Sequence, residues 1–417
     1  MIGYDDLSKK LGGSLEPNSD VAFEYSFPAG VSDGITYFRG QTYDVYDGRS
    51  WTKSDFQKVI DSGEYKKEFN GIDKKYVDYV DIYPKNLKVK TFLVPEQSYY
   101  VKKSDNSSSK IDEHNKVFDN GSKVSDDYRV EFIDKSTTKN LKEGDINTIG
   151  DNDADNDEYW KLIKPYEDFI TKYDELNNAA VNQAQYLSVP NSMPSSLKKQ
   201  IDDELNAYSA NLEDKHVSDY EKVTWIYRYI SSRCKYDLNA ANLPKGKDFV
   251  DFFLNKDKKG YCMHFATACV MLCRMEGIPA RLVTGFKETM TGKKPGEKYS
   301  VTNNQAHAWC EVFIKDNIAS KVDKHWITVD PTPDKDGMCE GIEASKISSD
   351  SSDSINNMKT NEVTYSSENY HSNKDFDENH SRAKQLLDEE SSASSSAVKK
   401  IDNKIVIPIM AIYFCSL

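Results

Sequence analysis

From residue 20 to 135 the chain alternates apolar and polar positions. "VAFEYSF", "ITYFRGQTYDVYDGRSWTK", "YVDYVDIYP", "LKVKTFLVP", "YYVKK" and "DYRVEFI" carry β-branched and aromatic residues at every second place or in short clusters. Gly, Pro, Asn and Asp lie between them, and this period predicts strands in a sandwich-like β domain. "YDGRSW" predicts a tight turn at Asp47-Gly48. Aromatic-rich strands of this kind more often serve cross-strand packing than binding.

From residue 195 the period lengthens to that of a helix. "SLKKQIDDELNAYSANL" is amphipathic. In "SDYEKVTWIYRYISSR" Ser218 and Glu221 form a capping box, and Val223, Ile226, Tyr227 and Ile230 share one face. A third helix is expected to start near Tyr261 or Cys262 and to stop at Gly277, placed where a C′ glycine belongs. Three strands are expected after it, in "ARLVTGFK", "HAWCEVFIK" and "HWITVDPTP". The class predicted is α+β, with no internal repeats.

The pattern divides the chain into a β-rich region (1–135), an acidic linker with some helix (136–185), a second globular region (186–340), a Ser/Asp/Glu-rich stretch expected to be disordered (341–403) and an apolar tail (404–417). The linker holds "DNDADNDEYWKL", where Asp151, Asp153 and Asp155 alternate as at the start of a calcium loop. Asn156 stands where that loop needs Gly, and Leu162 where it needs Glu, so a solvated connector is the better reading. The tail, "IVIPIMAIYFCSL", is shorter than the roughly 20 residues a spanning helix needs. It reads either as a docking tail or as the start of a transmembrane helix. The opening "MIGYDDLSKKLGGSLEP" has neither the basic start nor the apolar run of a secretory signal.

Composition narrows the chemistry. A net charge of −13 over 417 residues argues against nucleic acid as a partner. Seven cysteines without a CxxC pair or Cys/His zinc spacing suggest neither a disulfide framework nor a metal centre. No cofactor is called for.

Three of those cysteines lie in "GYCMHFATACVMLCRMEGIPAR". Helical spacing puts Cys262, Cys269 and Cys273 near one face with Phe265, Ala266 and Leu272, and for Cys269 and Cys273 that face is core. Cys262 differs in lying in the expected first turn, where unpaired N–H groups and the helix dipole favour a thiolate. Gly260, two residues upstream, would leave room for a substrate chain. A nucleophilic thiol needs a base. His114, His216, His371 and His380 fall in polar segments, His325 opens a strand, and His264 reads as a packing residue. In "QAHAWCEVF" His307, Trp309, Glu311 and Phe313 share one strand face, and in "HWITVDPTP" Trp326, Thr328 and Asp330 share another. Pairing those strands can bring His307 beside Asp330. The pattern leaves Cys262, His307 and Asp330 as a candidate triad of nucleophile, base and orienting acid.

The span from Tyr186 to Asp334 resembles the transglutaminase-like superfamily, with the papain-type cysteine enzyme fold. The resemblance rests on "GYCMHFATACVMLCRMEGIPARLVTGF", "AHAWCEVFI" and "HWITVDPTP", in that order, with "YLSVP" and "DFVDFFL" upstream. It implies a nucleophile helix packed on an antiparallel sheet, with Cys262, His307 and Asp330 as the catalytic triad. It also implies that Gly277 to Arg281 ends the helix and launches the first strand. More loosely, "TYFRGQTYDVYDGRSW" and "IYPKNLKVKTFLVPE" resemble the β-rich region of bacterial membrane-anchored members. That implies an extracytoplasmic catalytic domain, membrane association of the full-length protein, and a chain that lacks an N-terminal membrane part and stops inside a last helix.

The implied chemistry is acyl transfer through a thioester on Cys262. Protein or peptide amides, glutamine side chains foremost, would be the acyl donors, with lysine amines or water as acceptors, water giving deamidation or, as in a cysteine peptidase, peptide hydrolysis. The Cys262 N–H would be one oxyanion donor, and the loop "KETMTGKKPGEKYSVTNNQ" is a candidate cleft wall. The rival is a non-catalytic surface scaffold that keeps the fold for interaction.

Overall fold

The computed structural model describes residues 11–29, 35–53, 59–67, 77–96, 98–112, 117–133, 184–210, 217–314 and 325–333. All of these belong to a compact unit, Met1–Ser345, and a second unit, Lys346–Leu417, falls outside them. The calcium-like loop at 151–158, the Ser-rich stretch, the apolar tail, His114, His216, His371, His380, Cys339 and Cys415 also lie outside the described residues. Among those described, no helix is long and apolar enough to cross a membrane.

The alternating segments of the first region form β1 (Val21–Ser26), β2 (Ile35–Tyr43), β3 (Val45–Tyr46), β4 (Trp51–Thr52) and β5 (Val59–Asp61). A short helix, α1 (Ser62–Lys67), precedes β6 (Val77–Pro84), β7 (Ser98–Lys103), β8 (Lys110–Asp112), β9 (Val117–Asp119) and β10 (Tyr128–Ile133). The predicted turn joins β3 to β4, where the Asp47 carboxylate accepts the N–H groups of Arg49 and Ser50 at 2.8 and 2.7 Å. One expected strand is absent. "LKVKTFLVP" buries Leu87, Val89, Phe92, Leu93 and Val94 but makes only isolated bridges, Thr91 to Asp119 and Val94 to Arg39. Its backbone groups bond in turn to Phe118, Arg39 and the Tyr128 hydroxyl, so it threads the core instead of joining a ladder.

The second region supplies α2 (Ser195–Ser209), α3 (Asp219–Arg233), β11 (Lys235–Tyr236), α4 (Phe249–Phe252) and β12 (Lys259–Gly260). Helix α5 (Cys262–Met275), β13 (Ala280–Thr289), β14 (Tyr299–Thr302), β15 (Ala306–Ile314) and β16 (His325–Val329) follow. The Ser218–Glu221 capping box forms as predicted. α5 ends at Gly277, whose φ of +77° suits a residue without Cβ, and the Ile278 N–H reaches back to the Cys273 carbonyl at 2.9 Å.

The chain is thus α+β, with a helix-and-sheet core following a β-rich region. The two regions exchange strands. Antiparallel β16-β15-β13 is completed by β2 from the first region. In the five-stranded sheet β14-β1-β6-β10-β7 the edge strand β14 comes from the second. The segment expected as a cleft wall therefore contains a strand that completes the other sheet. Phe38 and Phe286 of the first sheet meet Phe23 of the second edge-on, with ring centroids 5.4 and 5.2 Å apart. Such pairs add about 0.5–1.5 kcal/mol each beyond area burial.

A second core surrounds α5, whose residues from Met263 to Arg274 are all buried. They pack on Leu282 of β13 and on Ala308, Cys310 and Val312 of β15. Trp51 of β4 is fully buried and donates its indole N–H to Thr267 of α5 at 3.1 Å. Arg274 sits in this core with its guanidinium donating to the carbonyls of Ala280, Ser188 and Asp44 at 2.8–3.0 Å. Those bonds pin the helix end to the start of β13, to the segment before α2 and to the end of β2.

Candidate active site

The approach to α5 is held on both sides. A π-helical turn, Phe253–Asp257, closes at Lys258, which takes a left-handed φ of +56° and bonds its N–H to the Phe253 carbonyl. Non-glycine residues held in this region cost of order 1–3 kcal/mol and cluster where geometry must be set. Next, β12 pairs with β11 in parallel, Lys235 opposite Lys259 and Tyr236 opposite Gly260. Tyr261 then caps α5 in extended conformation and Cys262 takes the first helical position. Its N–H is among the donors that a helix start leaves without an intrahelical partner.

A Cβ on Gly260 would stand 2.4 Å from the His264 ring, so the glycine makes space for that histidine. His264 is the packing residue predicted. It lies against Phe249, Phe253 and Tyr261, its Nδ1 accepts the Tyr261 N–H, and burial lowers its pKa to about 4.

Cys262 is half-buried. His307 is the second residue of β15, and Asp330 directly follows β16. Pairing of these strands, Cys310 opposite Val329, brings His307 Nε2 to 2.7 Å from Asp330 Oδ2. Since Nε2 is engaged by the acid, Nδ1 is the nitrogen left for Cys262, which lies within side-chain hydrogen-bonding reach of the ring. The structure thus brings the three sequence-predicted residues together. Burial disfavours the imidazolium, but the Asp330 carboxylate and then Cys262 outweigh it and raise the His307 pKa to about 9. Burial likewise disfavours the Asp330 carboxylate, yet His307 and Lys287 hold it well below the ordinary range.

Three neighbours were not singled out in the sequence. Lys287 Nζ and the Tyr37 hydroxyl both donate to Asp330 Oδ2, at 2.9 and 3.0 Å. Tyr236, 36% exposed, lies where the charges of Cys262 and Asp330 act on its phenol, and burial followed by those charges raises it to about 12. It therefore keeps its proton at neutral pH. The Asp330 Oδ1 accepts the Thr332 N–H at 3.2 Å.

Behind Cys262, His307 and Asp330 the sheet carries an ion network. Glu311 lies between Arg281 and Arg39, at 2.7 and 3.1 Å, and Arg281 stacks 4.0 Å over the Trp326 ring. All three ionic residues are buried. Tyr37 and Trp309 pack against each other between this network and His307, with Trp309 nearly parallel to the imidazole.

The other cysteines of α5 have a different fate. Cys269 and Cys273 face Cys310 of β15 in the core, their three sulfurs within 4.8 Å of one another. They are the one set of His, Cys, Asp or Glu side chains among the described residues grouped closely enough to hold a metal ion. Burial pushes Cys273 and Cys310 up, and hydrogen bonds from them draw Cys269 down. With no exposure, the three thiols serve packing.

Residues 206–331 match the family model of the Transglutaminase-like superfamily. That span runs from α2 through Asp330, so the helix-and-sheet core is transglutaminase-like. A protein of Bacillus subtilis named "Uncharacterized protein YebA" is 25% identical over 359 residues, 79% of this chain and 41% of the relative. The chain therefore spans about two-fifths of that relative's length. A "Protein-glutamine gamma-glutamyltransferase" of Pseudomonas aeruginosa is 35% identical over 88 residues, 21% of this chain and 12% of its own. The periplasmic domain of TgpA from Pseudomonas aeruginosa aligns at 18% identity with a TM-score of 0.47, over 78% of this chain and 94% of that one.

Proposed function

We propose that the protein is a cysteine acyl transferase or amidase acting on protein or peptide glutamine side chains, with Cys262 as nucleophile, His307 as base and acid, and Asp330 as orienting acid. The observation that carries the reading is the hydrogen-bonded His307–Asp330 pair with a thiol at a helix start within reach of the same imidazole. That arrangement supplies each part a nucleophilic cysteine needs. The name of the Pseudomonas aeruginosa relative supports glutamine as donor.

In the proposed steps His307 takes the proton of Cys262, and the thiolate attacks the carboxamide carbon. The Cys262 N–H stabilises the oxyanion, and the protonated Tyr236 phenol stands beside it as a second candidate donor. His307 then protonates the departing nitrogen, and ammonia leaves as the C–N bond breaks. The thioester on Cys262 is resolved by an amine, giving an isopeptide bond, or by water, giving a carboxylate. In either case His307 takes the incoming nucleophile's proton, and breaking the C–S bond restores the thiolate. By analogy with the relatives, we place the catalytic domain outside the cytoplasmic membrane, with the full-length protein associated with it.

The test is incubation with a glutamine-containing peptide, with and without a labelled primary amine. Cys262-dependent ammonia release is expected, together with amine incorporation if transfer prevails over hydrolysis. A folded protein that releases no ammonia from any glutamine peptide, and whose Cys262 forms no acyl adduct, would favour the scaffold instead.

A further inference from the structure

Asp330 is asked to serve more than one donor. Its Oδ2 accepts His307 Nε2 at 2.7 Å, Lys287 Nζ at 2.9 Å and the Tyr37 hydroxyl at 3.0 Å, while the side chain is buried. Each donor comes from a different strand: His307 from β15, Lys287 from β13 and Tyr37 from β2. A carboxylate oxygen so engaged cannot rotate without giving up bonds in a buried site, where each lost partner costs about 1–3 kcal/mol. The Lys287 ammonium also spends part of the charge that would otherwise stabilise an imidazolium.

Building on the triad reading above, we propose that Lys287 is a positioning residue that fixes Asp330 and sets the alkaline limit of the pH range in which the Cys262–His307 ion pair exists. The physical argument is electrostatic competition. The carboxylate raises the imidazole's affinity for its proton, and a cation bound to the same oxygen diminishes that pull. Lys287 is held for this role, since its side chain is only 21% exposed and its ammonium lies 5.8 Å from the Tyr37 ring centre. The other groups that act on the site are the Cys262 thiol from α5, the Tyr236 phenol from β11 and the Tyr37 phenol from β2. Cys269 of α5 feels the Asp330 charge from the core side. Glu311 lies farther along β15 and is matched by Arg39 and Arg281. Among these, Lys287 is the cation in direct contact with the acid. The lysine ends the expected strand "ARLVTGFK" and opens the loop expected as a cleft wall, and its neighbour Tyr37 belongs to the N-terminal region, so that region would contribute to the site and not merely cover it.

The experiment is the pH profile of Cys262 carboxymethylation by iodoacetate, followed by peptide mass spectrometry, in the full chain and in Lys287→Met, Lys287→Arg and His307→Ala. The imidazolium draws the anionic reagent, so the rate falls as His307 loses its proton. In Lys287→Met the alkaline limb is expected to move up by about one pH unit, in line with the effect of a neighbouring charge. Lys287→Arg, which keeps the charge, should return it toward the original position. A purely structural lysine would change the rate or the melting temperature without this shift and rescue. An alkaline limb unmoved in folded Lys287→Met would overturn the role given to Lys287 while leaving the triad intact. If the unsubstituted chain itself shows no His307-dependent bell, the triad reading fails and this inference fails with it.

Discussion

Cys262 and the Cys269–Cys273–Cys310 cluster occupy the two ends of one comparison. Two of the cluster's cysteines share α5 with Cys262, yet the environments differ in every respect that governs thiol chemistry. Cys262 is half-buried at a helix start, beside an imidazole that is itself tied to a carboxylate. The cluster has no exposure and is surrounded by apolar side chains and by other thiols. A helix can therefore hold a cysteine beside an imidazole at one end and cysteines as filler in the middle. The difference is made by unpaired N–H groups, solvent and a base, not by the helix.

Substitutions can break this contrast, and the largest effect belongs to Cys262→Ala. Turnover of a glutamine peptide should fall by about 10⁴-fold or more, the scale seen when a nucleophile is removed from a triad. His307→Ala should cost about 10²–10⁴-fold, as expected for loss of a general base, and should also lower the melting temperature at neutral pH, because it takes one partner from the buried Asp330 carboxylate. Next comes Glu311→Gln, which leaves Arg39 and Arg281 buried without their carboxylate. A loss of about 3–5 kcal/mol, read from the denaturant midpoint, is the expected cost of breaking a buried ionic network.

The pH dependence of stability sharpens the same contrast. His307 has its pKa raised from 6.5 to about 9 on folding, so its pairing stabilises the fold fully below pH 6.5 and the contribution is lost as pH rises through about 9. Asp330 is lowered from 3.8, so its contribution is present above that value and is lost as pH falls further. The melting temperature should decline between pH 7 and pH 10, and Asp330→Asn should flatten much of that decline. The smallest effect is assigned to Cys310→Ala. It should cost about 1–2 kcal/mol of packing and leave the alkylation rate of Cys262 unchanged.

Local period made much of this legible. The capping box at Ser218 and Glu221, the extent of α5 and the strands carrying His307 and Asp330 follow from 3.6-residue and two-residue spacing. Asp330 could be singled out because it ends an apolar run just before Pro331. What the spacing could not show depends on pairing between distant segments. Nothing in "ITYFRGQTY" reveals that β2 will edge the sheet that carries His307, or that Tyr37 will reach Asp330 across 293 positions of chain. Lys287 looks like any lysine at the end of a strand, and Tyr236 like any exposed aromatic residue. "LKVKTFLVP" misled for the opposite reason, since its apolar clustering reflects burial without regular pairing. The His264 ring that needs the space left by Gly260 is likewise visible only in three dimensions.

The most direct test of the central claim is the rate of alkylation by iodoacetamide at each cysteine as a function of pH, resolved by peptide mass spectrometry. The structure predicts that Cys262 alone reacts quickly near pH 6, that this reactivity disappears in His307→Ala, and that Cys269, Cys273 and Cys310 stay protected until the fold is melted. A Cys262 as slow near pH 6 as the three buried thiols, in a protein still folded, would contradict it.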